Sequence, residues 1–398
     1  MEWKELQTLV KRKIGYGIVQ PGPSVQKGVP IIKVNNIISG LYDTKHLDKT
    51  TVENDAKYQR TKLKGGELIV TVVGTCGKTA IVPPQFVGCN LVRATCLIDI
   101  EDETICRWIK YYIDSPQGQA YINRNLNTTV QATLNVKNLN EMPIPFYSKE
   151  YTSNVVKILS SLDRKIELNN KINADLEEMA QAIFKNWFVD FEPFKDGKFV
   201  DSELGMIPEG WKVGTLGDIT KNKSAKVKER NDVKVLSPVT TGELVLSEEY
   251  FTKQVFSSSI AKYKIVNKGD FAYNPARVNI GSLGRNEFDF DGCVSPVYVV
   301  FSVLDGYENY FDLFRKTDFF KDSVASLAIG GVRQSLSYDD LSSIEVIIPS
   351  GNAVEEFNNL YNQMKKTIKA NKLENSRLSL LRDTLLPRLM SGEIELPE

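Results

Sequence analysis

The sequence predicts an α+β protein in which two similar mixed α/β units are each followed by a long helix. The run Val155–Phe188 contains no Gly or Pro, and its apolar residues recur at alternating steps of four and three, which is typical of a coiled-coil helix roughly 50 Å long. The run Phe357–Leu385 repeats this pattern 202 positions later. The chain is therefore interpreted as a tandem duplication, whose two helices pair as an antiparallel coiled coil in a pseudo-twofold arrangement.

The duplication extends into the segments ahead of the helices. Leu63–Leu68 resembles Val266–Phe271 at an offset of 203 residues. At an offset of 202, Val130, Leu134, Leu139 and Met142 match Val332, Leu336, Leu341 and Ile344. One offset that holds through loop, strand and helix is not expected by chance. The predicted boundaries are 1–150 for the first unit, 151–192 for the central helix, 193–210 for a linker, 211–350 for the second unit and 351–398 for the C-terminal helix.

The apolar seam of each helix is interrupted by two asparagines, Asn169 and Asn173 in the first helix and Asn371 and Asn375 in the second. An antiparallel pair places Asn169 against Asn375 and Asn173 against Asn371, and it also matches the apolar layers. A buried Asn in such a seam lowers stability and sets the register. Two alternatives stay open: a parallel pair matches Asn169 with Asn371, and asparagines just outside the seam would face solvent.

Local patterns predict the elements of each unit. For the first unit we expect a helix over Trp3–Lys13, strands over Val29–Val34, Glu67–Val73 and within Phe86–Ile100, and a helix over Glu103–Ile113. For the second we expect strands over Val233–Thr241, Tyr263–Tyr273, Val294–Phe301 and Ile344–Pro349, and a helix over Tyr307–Thr317. Gly74–Thr79 resembles a phosphate-binding loop, but Val72 stands where that motif needs Gly, so a β-turn is expected there.

Composition favours a binding and scaffolding protein over an enzyme. The single His46 excludes a histidine-rich metal site and disfavours a Ser-His-Asp triad, so no metal site is expected. Five cysteines without a C-x-x-C pair, no apolar leader and no run of 18 apolar residues predict a cytoplasmic protein. The net charge is zero, but residues 1–150 hold 19 Lys and Arg against 14 Asp and Glu, whereas residues 201–350 hold 17 against 21. The first unit is thus mildly basic, as nucleic-acid binding would require.

Three segments carry a resemblance to a known family: Ala182–Pro193, Ile207–Ile219 and Leu385–Ile394. With the duplicated architecture, they make the full chain similar to the DNA-specificity subunit of Type I restriction–modification enzymes. The resemblance implies that each unit is a target-recognition domain that reads one half of a bipartite, asymmetric double-stranded DNA target, while the helices set the spacer. It also implies docking of two modification subunits, which methylate adenine N6, and of ATP-dependent restriction subunits.

In that family the specificity subunit is non-catalytic. The resemblance therefore implies that this chain binds no cofactor, and that S-adenosylmethionine, ATP and Mg belong to the partner subunits. Six apolar helix residues outside the seam are candidates for docking the modification subunits: Ile158, Ile172, Met179, Phe184, Trp187 and Phe188. For Trp187 and Phe188 the alternative is packing on the adjoining unit.

Candidate DNA contacts are chosen by chemistry, because no base-contacting residue can be transferred from so variable a family. Arg, Lys, Asn and Gln at loop or helix ends are the side chains that read bases and phosphates. The candidates of the first unit, which include one tyrosine, are Tyr16, Gln20, Lys33, Asn35, Asn36, Lys62, Lys78, Arg124, Asn125, Asn127 and Gln131. In the second unit they are Lys221, Lys223, Lys226, Asn274, Arg277, Asn279, Arg285, Arg333 and Gln334.

Two other interpretations remain at this point. Each candidate could belong to a solvated turn that contacts no DNA. The whole chain could also be a duplicated coiled-coil adaptor that binds protein and not DNA, an alternative that the zero net charge favours.

Overall fold

The computed structural model describes residues 1–38, 44, 47–127, 131–251, 253–327 and 335–395. It forms two compact units: unit 1 comprises Met1–Asn170 and Lys372–Glu398, and unit 2 comprises Lys171–Asn371. Both long helices contribute residues to both units. No helix in the described ranges is long and apolar enough to cross a membrane.

Unit 1 combines two small sheets and two strand pairs with helices. In chain order its elements are β1 (Glu2–Glu5), β2 (Gly15–Tyr16), β3 (Val29–Ile32), α1 (Val34–Ile38), β4 (Lys49–Thr50), α2 (Val52–Ala56), β5 (Leu68–Thr71), β6 (Thr79–Ile81), β7 (Asn90–Leu91), β8 (Thr95–Ile98), α3 (Glu103–Asp114), α4 (Pro116–Arg124), β9 (Leu126–Asn127), β10 (Thr133–Leu134), α5 (Val136–Asn140), β11 (Pro143–Phe146) and the first part of α6 (Lys149–Phe188). The sheets have the strand orders β2-β8-β5-β6 and β4-β3-β7, with β1–β11 and β9–β10 as separate pairs.

The core of unit 1 lies between the four-stranded sheet and the helices α3 and α6. All four residues of β5 are buried, because both faces of that strand are covered. Asp102 begins α3 by accepting hydrogen bonds from the backbone N–H groups of Thr104 and Ile105. The face that α3 buries includes Trp108, whose Nε1 donates to the carbonyl of Pro145 at 2.7 Å.

Unit 2 has the same plan. Its elements are the last part of α6, β12 (Phe199–Val200), β13 (Ile207–Pro208), β14 (Lys212–Thr215), α7 (Leu216–Ile219), β15 (Thr220–Lys223), β16 (Lys234–Pro238), β17 (Leu244–Leu246), α8 (Ser247–Tyr250), β18 (Lys264–Val266), β19 (Phe271–Tyr273), β20 (Leu283–Arg285), β21 (Gly292–Val294), β22 (Val299–Val303), α9 (Glu308–Phe314), α10 (Asp318–Leu327), α11 (Tyr338–Ser342), β23 (Glu345–Ile348) and the first part of α12 (Gly351–Met390). The last part of α12 belongs to unit 1.

The sheet topologies confirm the two similar units. The order β15-β22-β19-β20 in unit 2 reproduces β2-β8-β5-β6 in unit 1, and both sheets are antiparallel throughout. In the other sheet, β16 pairs antiparallel with β17 and parallel with β21, as β3 does with β4 and β7. The pair β14–β23 repeats the pair β1–β11. Each unit therefore positions its loops in the same way.

In unit 1 the long helices run antiparallel. Asn169 Nδ2 donates to Asn375 Oδ1 at 2.9 Å, and toward the start of α6 Asp163 pairs with Arg382 at 2.9 Å. Nearer still to the start of α6, the hydroxyl of Tyr151 donates to the carbonyl of Leu389 at 2.8 Å. Residues earlier in α6 thus meet residues later in α12.

Unit 2 shows the same antiparallel pairing. Asn371 Nδ2 donates to Asn173 Oδ1 at 2.9 Å, and the ring of Phe184 lies 6.1 Å from that of Phe357. The predicted register is confirmed within both units and the parallel alternative is wrong. Because Asn169 is 1% exposed and Asn173 is 6% exposed, the alternative that they face solvent is also wrong.

A buried polar cluster joins α9 to α12 in unit 2. Asn309 Nδ2 donates to the side-chain carbonyls of Asn358 and Asn362 at 3.0 Å. One turn later, Asp312 pairs with Arg315 at 2.6 Å, and both side chains are less than a tenth exposed. Burial alone would favour the neutral acid, but Arg315 holds the pKa of Asp312 well below its usual range.

Two sequence expectations about local structure are corrected. The helix expected over Trp3–Lys13 is wrong, because Glu2–Glu5 is extended and pairs with Pro143–Phe146, and Leu6–Thr8 forms a 3₁₀ turn that buries Leu6. The predicted linker 193–210 contains the hairpin of β12 and β13.

The expected docking face on α6 is also partly wrong. Phe184 and Phe188 are 1% and 4% exposed, because their rings pack in the core of unit 2, and Trp187 packs beside them. Ile158 packs against the core of unit 1. Met179 and Ile172 are 51% and 36% exposed, so of the six residues these two remain on the surface.

Candidate nucleic-acid interface

Four segments of unit 1 meet at one end of the four-stranded sheet. The turn between β5 and β6 contacts the β7–β8 connection, where Val72 N–H donates to the Ala94 carbonyl at 2.8 Å. It also contacts the start of β10, where Gly74 N–H donates to the Ala132 carbonyl at 2.8 Å. The end of β2 joins the same edge, because Gly17 N–H donates to the carbonyl of Thr95. We call this end of the sheet the unit 1 edge.

Five of the candidate side chains lie at the unit 1 edge: Tyr16, Lys78, Arg124, Asn127 and Gln131. All five are exposed. The C-terminal end of α4, which carries Arg124, reaches this edge because Ile122 packs against Gly77 of the β5–β6 turn, where an added Cβ would lie 2.9 Å from it. Lys78 and Arg124 have no ion-pair partner among the described residues, so both cations are available to an anion.

Arg93 belongs to this edge and was missed by the sequence analysis. It lies in the β7–β8 connection, where its N–H donates to the carbonyl of Ile18 at 2.8 Å. Its side chain is exposed and has no ion-pair partner in the described part of the chain. A single arginine between apolar residues shows no pattern; only the strand pairing, which brings it beside Gly17 and Thr95, identifies it.

Three other unit 1 candidates already have partners. Lys62 pairs at 2.6 Å with Asp55, which is buried, so its charge stabilises the fold. Lys33 pairs with Asp48 and lowers the pKa of that carboxyl. Asn125 Nδ2 donates to the carbonyl of Tyr121 and thereby ends α4.

The remaining unit 1 candidates flank β3. Asn36 Oδ1 accepts a hydrogen bond from the N–H of Lys33 at 2.8 Å, and Asn35 is exposed beside it. The side chain of Gln20 is exposed, while its carbonyl accepts from Asn54 Nδ2. Asn35 and Gln20 are exposed and Asn36 is half-buried.

The equivalent end of the unit 2 sheet carries the β19–β20 turn. Asn274 N–H donates to the Ser282 carbonyl at 3.1 Å and closes this turn, and Arg277 and Asn279 are exposed within it. Asn274 and Arg277 line a cavity of about 350 Å³. Its walls also include Thr240, Tyr250, Ser295 and Tyr298. We call this end the unit 2 edge.

Two candidate cations of unit 2 have structural partners. Lys223 Nζ lies 2.7 Å from Oδ1 of Asp270, a buried carboxylate whose pKa is raised by burial even though Lys223 opposes the shift. Arg285 donates to Asn309 Oδ1 at 2.9 Å and its guanidinium lies over the Phe271 ring at 5.8 Å. Both side chains therefore hold the unit together.

The other candidates of unit 2 divide into two groups. Lys221 and Lys226 are exposed, and neither has an ion-pair partner in the ranges that the structure describes. The backbone of Lys226 forms an isolated β-bridge with the backbone of Lys264 in β18. The backbone of Lys221 in β15 pairs with that of Ser302 in β22, toward the end of the sheet opposite the unit 2 edge. Arg333 and Gln334 lie outside the described residues.

The chemistry of both edges suits a polyanion with readable base edges. Lys and Arg contact phosphates, and the amides of Asn and Gln read base edges. Within the described ranges no group of three or more His, Cys, Asp or Glu residues could hold a metal ion. The two edges are thus candidate binding surfaces built from loops on matched sheets.

Comparison with known proteins finds similarity to DNA specificity subunits. The family model described as "Type I restriction modification DNA specificity domain" matches residues 21–178. The specificity subunit of the Type I restriction enzyme MjaIX from Methanocaldococcus jannaschii is 26% identical over 310 residues, which cover 75% of this chain and 71% of that protein. The chain is similar to the DNA specificity subunits of Type I restriction–modification enzymes.

Two further similarities are of the same kind. The specificity subunit of the Type I restriction enzyme EcoBI from Escherichia coli is 30% identical over 197 residues, covering 47% of this chain and 41% of that protein. The crystal structure of the S subunit of a Type I restriction–modification system from M. genitalium matches 98% of this chain and 95% of its own, with a TM-score of 0.55 and 15% identity. This structural match supports the fold of the specificity subunit.

Proposed function

We propose that each unit of this specificity subunit reads one half of a bipartite DNA target. The observation that supports this proposal is the repetition of one exposed edge, at the same end of the same four-stranded sheet, in both units. Each edge carries cations and amide side chains on loops that the sheet holds in place. Such loops can vary between proteins without disturbing the core beneath them.

The two halves of the target differ under this proposal. The unit 1 edge presents Lys78, Arg124 and Gln131, whereas the unit 2 edge presents Arg277 and a cavity lined partly by aromatic residues. Different side chains at equivalent positions select different bases. The target is therefore asymmetric, although the protein is an internal repeat.

The remaining parts of the proposal concern the assembly. The helix pair sets the spacer between the half-sites, and two modification subunits and the restriction subunits dock on this chain in the cytoplasm. S-adenosylmethionine, ATP and Mg are held by those subunits, and this chain catalyses no reaction itself. Of the six apolar helix residues predicted to dock the modification subunits, Met179 and Ile172 stay exposed on α6 and are available for docking.

Mapping N6-methylated adenines in the genome of cells that carry this subunit with its modification partner tests the central proposal. We expect one bipartite, asymmetric motif with a fixed spacer. Cells carrying the modification partner alone are the control. A continuous motif, or two identical half-sites, would contradict the assignment of one half-site to each unit.

The role of the helices has a separate test. Seven residues inserted into α6 near Ala174, with a matched insertion into α12 near Leu373, add two helical turns while keeping the heptad phase. We expect the spacer to lengthen and both half-sites to stay unchanged. Altered half-sites with the original spacer would show that the helices do not set the spacing.

The comparisons do not favour the protein-binding adaptor, and salt dependence separates it from a DNA reader. The affinity of the assembled complex for target DNA should fall steeply with salt, because bound Lys and Arg displace counterions from phosphates. An adaptor would bind no DNA at any salt concentration.

A further inference from the structure

The unit 2 edge exposes four large apolar side chains. Tyr250 and Val255 are each 54% exposed, Ile280 is 55% exposed and Val297 is 72% exposed. Tyr250 and Val255 line the cavity of the unit 2 edge. Ile280 lies in the β19–β20 turn, and Val297 lies between two further lining residues, Ser295 and Tyr298. We call these four residues the apolar rim.

The corresponding edge of unit 1 carries exposed cations at the matching turns. Its β7–β8 connection contains Arg93, whereas the β21–β22 connection of unit 2 contains Val297. Its β5–β6 turn contains Lys78, whereas the β19–β20 turn contains Ile280 besides Arg277. The matching turns of the two units therefore expose different side chains.

Such a rim at a binding surface indicates an apolar contact with the ligand, because clustered exposed apolar side chains mark interaction sites. The apolar feature of a DNA major groove is the 5-methyl group of thymine, which proteins read by apolar contact. Arg277 beside the cavity suits the neighbouring phosphate. Glu248 and Glu249 precede Tyr250, and these carboxylates oppose phosphate there, so that part of the rim suits base edges.

We propose that the apolar rim reads thymine methyl groups in the half-site bound by unit 2. This inference rests on the proposed function and names the bases that unit 2 prefers. The cavity of about 350 Å³, which Tyr250 and Val255 line, leaves room for a methyl group, and Ile280 and Val297 lie next in sequence to the segments that line it. Cytosine offers no methyl group to this surface, so an A·T pair is preferred over a G·C pair.

The test compares thymine with uracil in target duplexes bound by the assembled complex of this chain and its modification subunits. Each thymine of both half-sites is replaced singly by uracil, which removes the methyl group and keeps the base pair. We expect one or two positions of one half-site to bind about fourfold more weakly, the change that corresponds to ~0.8 kcal/mol for one buried methyl group. Thymines of the other half-site should be insensitive.

The variants Val297→Ala and Ile280→Ala connect that effect to the rim. They should bind thymine and uracil duplexes equally at the sensitive positions. Leu304→Ala is the matched control, because Leu304 is 52% exposed at the opposite end of β22 and should leave the preference intact. Circular dichroism of each variant shows that it is folded.

Three results would overturn the inference. Equal affinity for thymine and uracil at every position would show that no methyl group is read, while specific binding itself would still support the proposed function. Rim variants that weaken assembly with the modification subunits and keep the thymine preference would make the rim a protein interface. A complex that binds no specific DNA would refute the proposed function, and the inference with it.

Discussion

Replacing Phe184 by alanine distinguishes a core residue from a docking residue at the end of α6. The Phe184 side chain is 1% exposed, and its ring lies 5.1 Å from that of Phe188, 5.4 Å from that of Tyr310 and 6.1 Å from that of Phe357. Truncating a buried phenylalanine costs about 3–5 kcal/mol. Because all three neighbours are aromatic and cannot collapse into the space, we expect a loss of about 4 kcal/mol in the stability of unit 2.

Hydrogen exchange measured by mass spectrometry follows the two units separately, which matters because a chain of two compact units need not unfold in one step. A loss of about 4 kcal/mol raises the exchange rate of the slowest amides of unit 2 about a thousandfold. The amides of β5 and β8 in unit 1 should be unaffected. Met179→Ala is the control on the same helix, because that side chain is 51% exposed and its loss should change stability by less than about 0.5 kcal/mol.

The reasoning fails if Phe184→Ala leaves the exchange of unit 2 unchanged. Weaker binding of the modification subunits without loss of stability would instead make Phe184 a docking residue, the role expected from the sequence alone. Phe184→Leu provides a second check, because it keeps most of the apolar volume and should cost clearly less than the alanine variant.

Three further predictions concern the seam, the charges and the candidate surface. The double variant Asn169→Cys, Asn375→Cys should form a disulfide on mild oxidation, as followed by non-reducing electrophoresis; efficient crosslinking of Asn169→Cys with Asn371→Cys would contradict the register. Arg315→Met should destabilise unit 2 by about 3 kcal/mol at pH 7, since it leaves the buried Asp312 carboxylate unpaired. Because the pKa of Asp312 is lowered in the folded protein, the stabilisation that its ionised carboxylate gives is present above the unfolded pKa of about 3.9 and is lost as the pH falls below that value. The difference in unfolding free energy between Arg315→Met and wild type, measured by urea unfolding, should therefore shrink below about pH 4. A difference that stays constant with pH would refute this. Lys78→Ala should weaken binding to every DNA sequence and reduce the slope of log affinity against log salt concentration by about 1. Lys62→Ala is the control and should leave this slope unchanged, because Asp55 already pairs with Lys62. Equal effects of the two variants would argue against the unit 1 edge.

The two long helices and their pairing could be predicted because the sequence pattern of each element occurs twice in the chain. An alternation of apolar residues that recurs after half the chain predicts the helices α6 and α12, and the matched asparagines predict their register. The strand and helix at Glu67–Val73 and Glu103–Ile113 were also predicted, since their patterns match the buried faces that the structure shows. Helix periodicity failed at Trp3–Lys13, where pairing with β11 overrides a local helical pattern.

The candidate surface was less predictable, because exposure and pairing depend on the folded chain. Lys62 and Lys78 look alike in sequence, yet one balances a buried carboxylate and the other is free for an anion. Arg93 shows no signal until strand pairing brings it to the unit 1 edge. The apolar rim could not be predicted from the sequence either, because a valine or isoleucine in a β-rich segment is expected to be buried in the core.

The composition of unit 1 has a consequence for synthesis of the protein. Unit 2 is one continuous stretch, Lys171–Asn371, whereas unit 1 needs residues from both parts of the chain. Tyr147 and Tyr151 donate hydrogen bonds to the carbonyls of Met390 and Leu389, which are synthesised after all of unit 2. The second unit can therefore fold while the first still lacks half of its helix pair, reversing the usual order of co-translational folding. A ribosome that stalls between the two events would release a chain with the unit 2 edge on a finished fold and the unit 1 edge on an unfinished one.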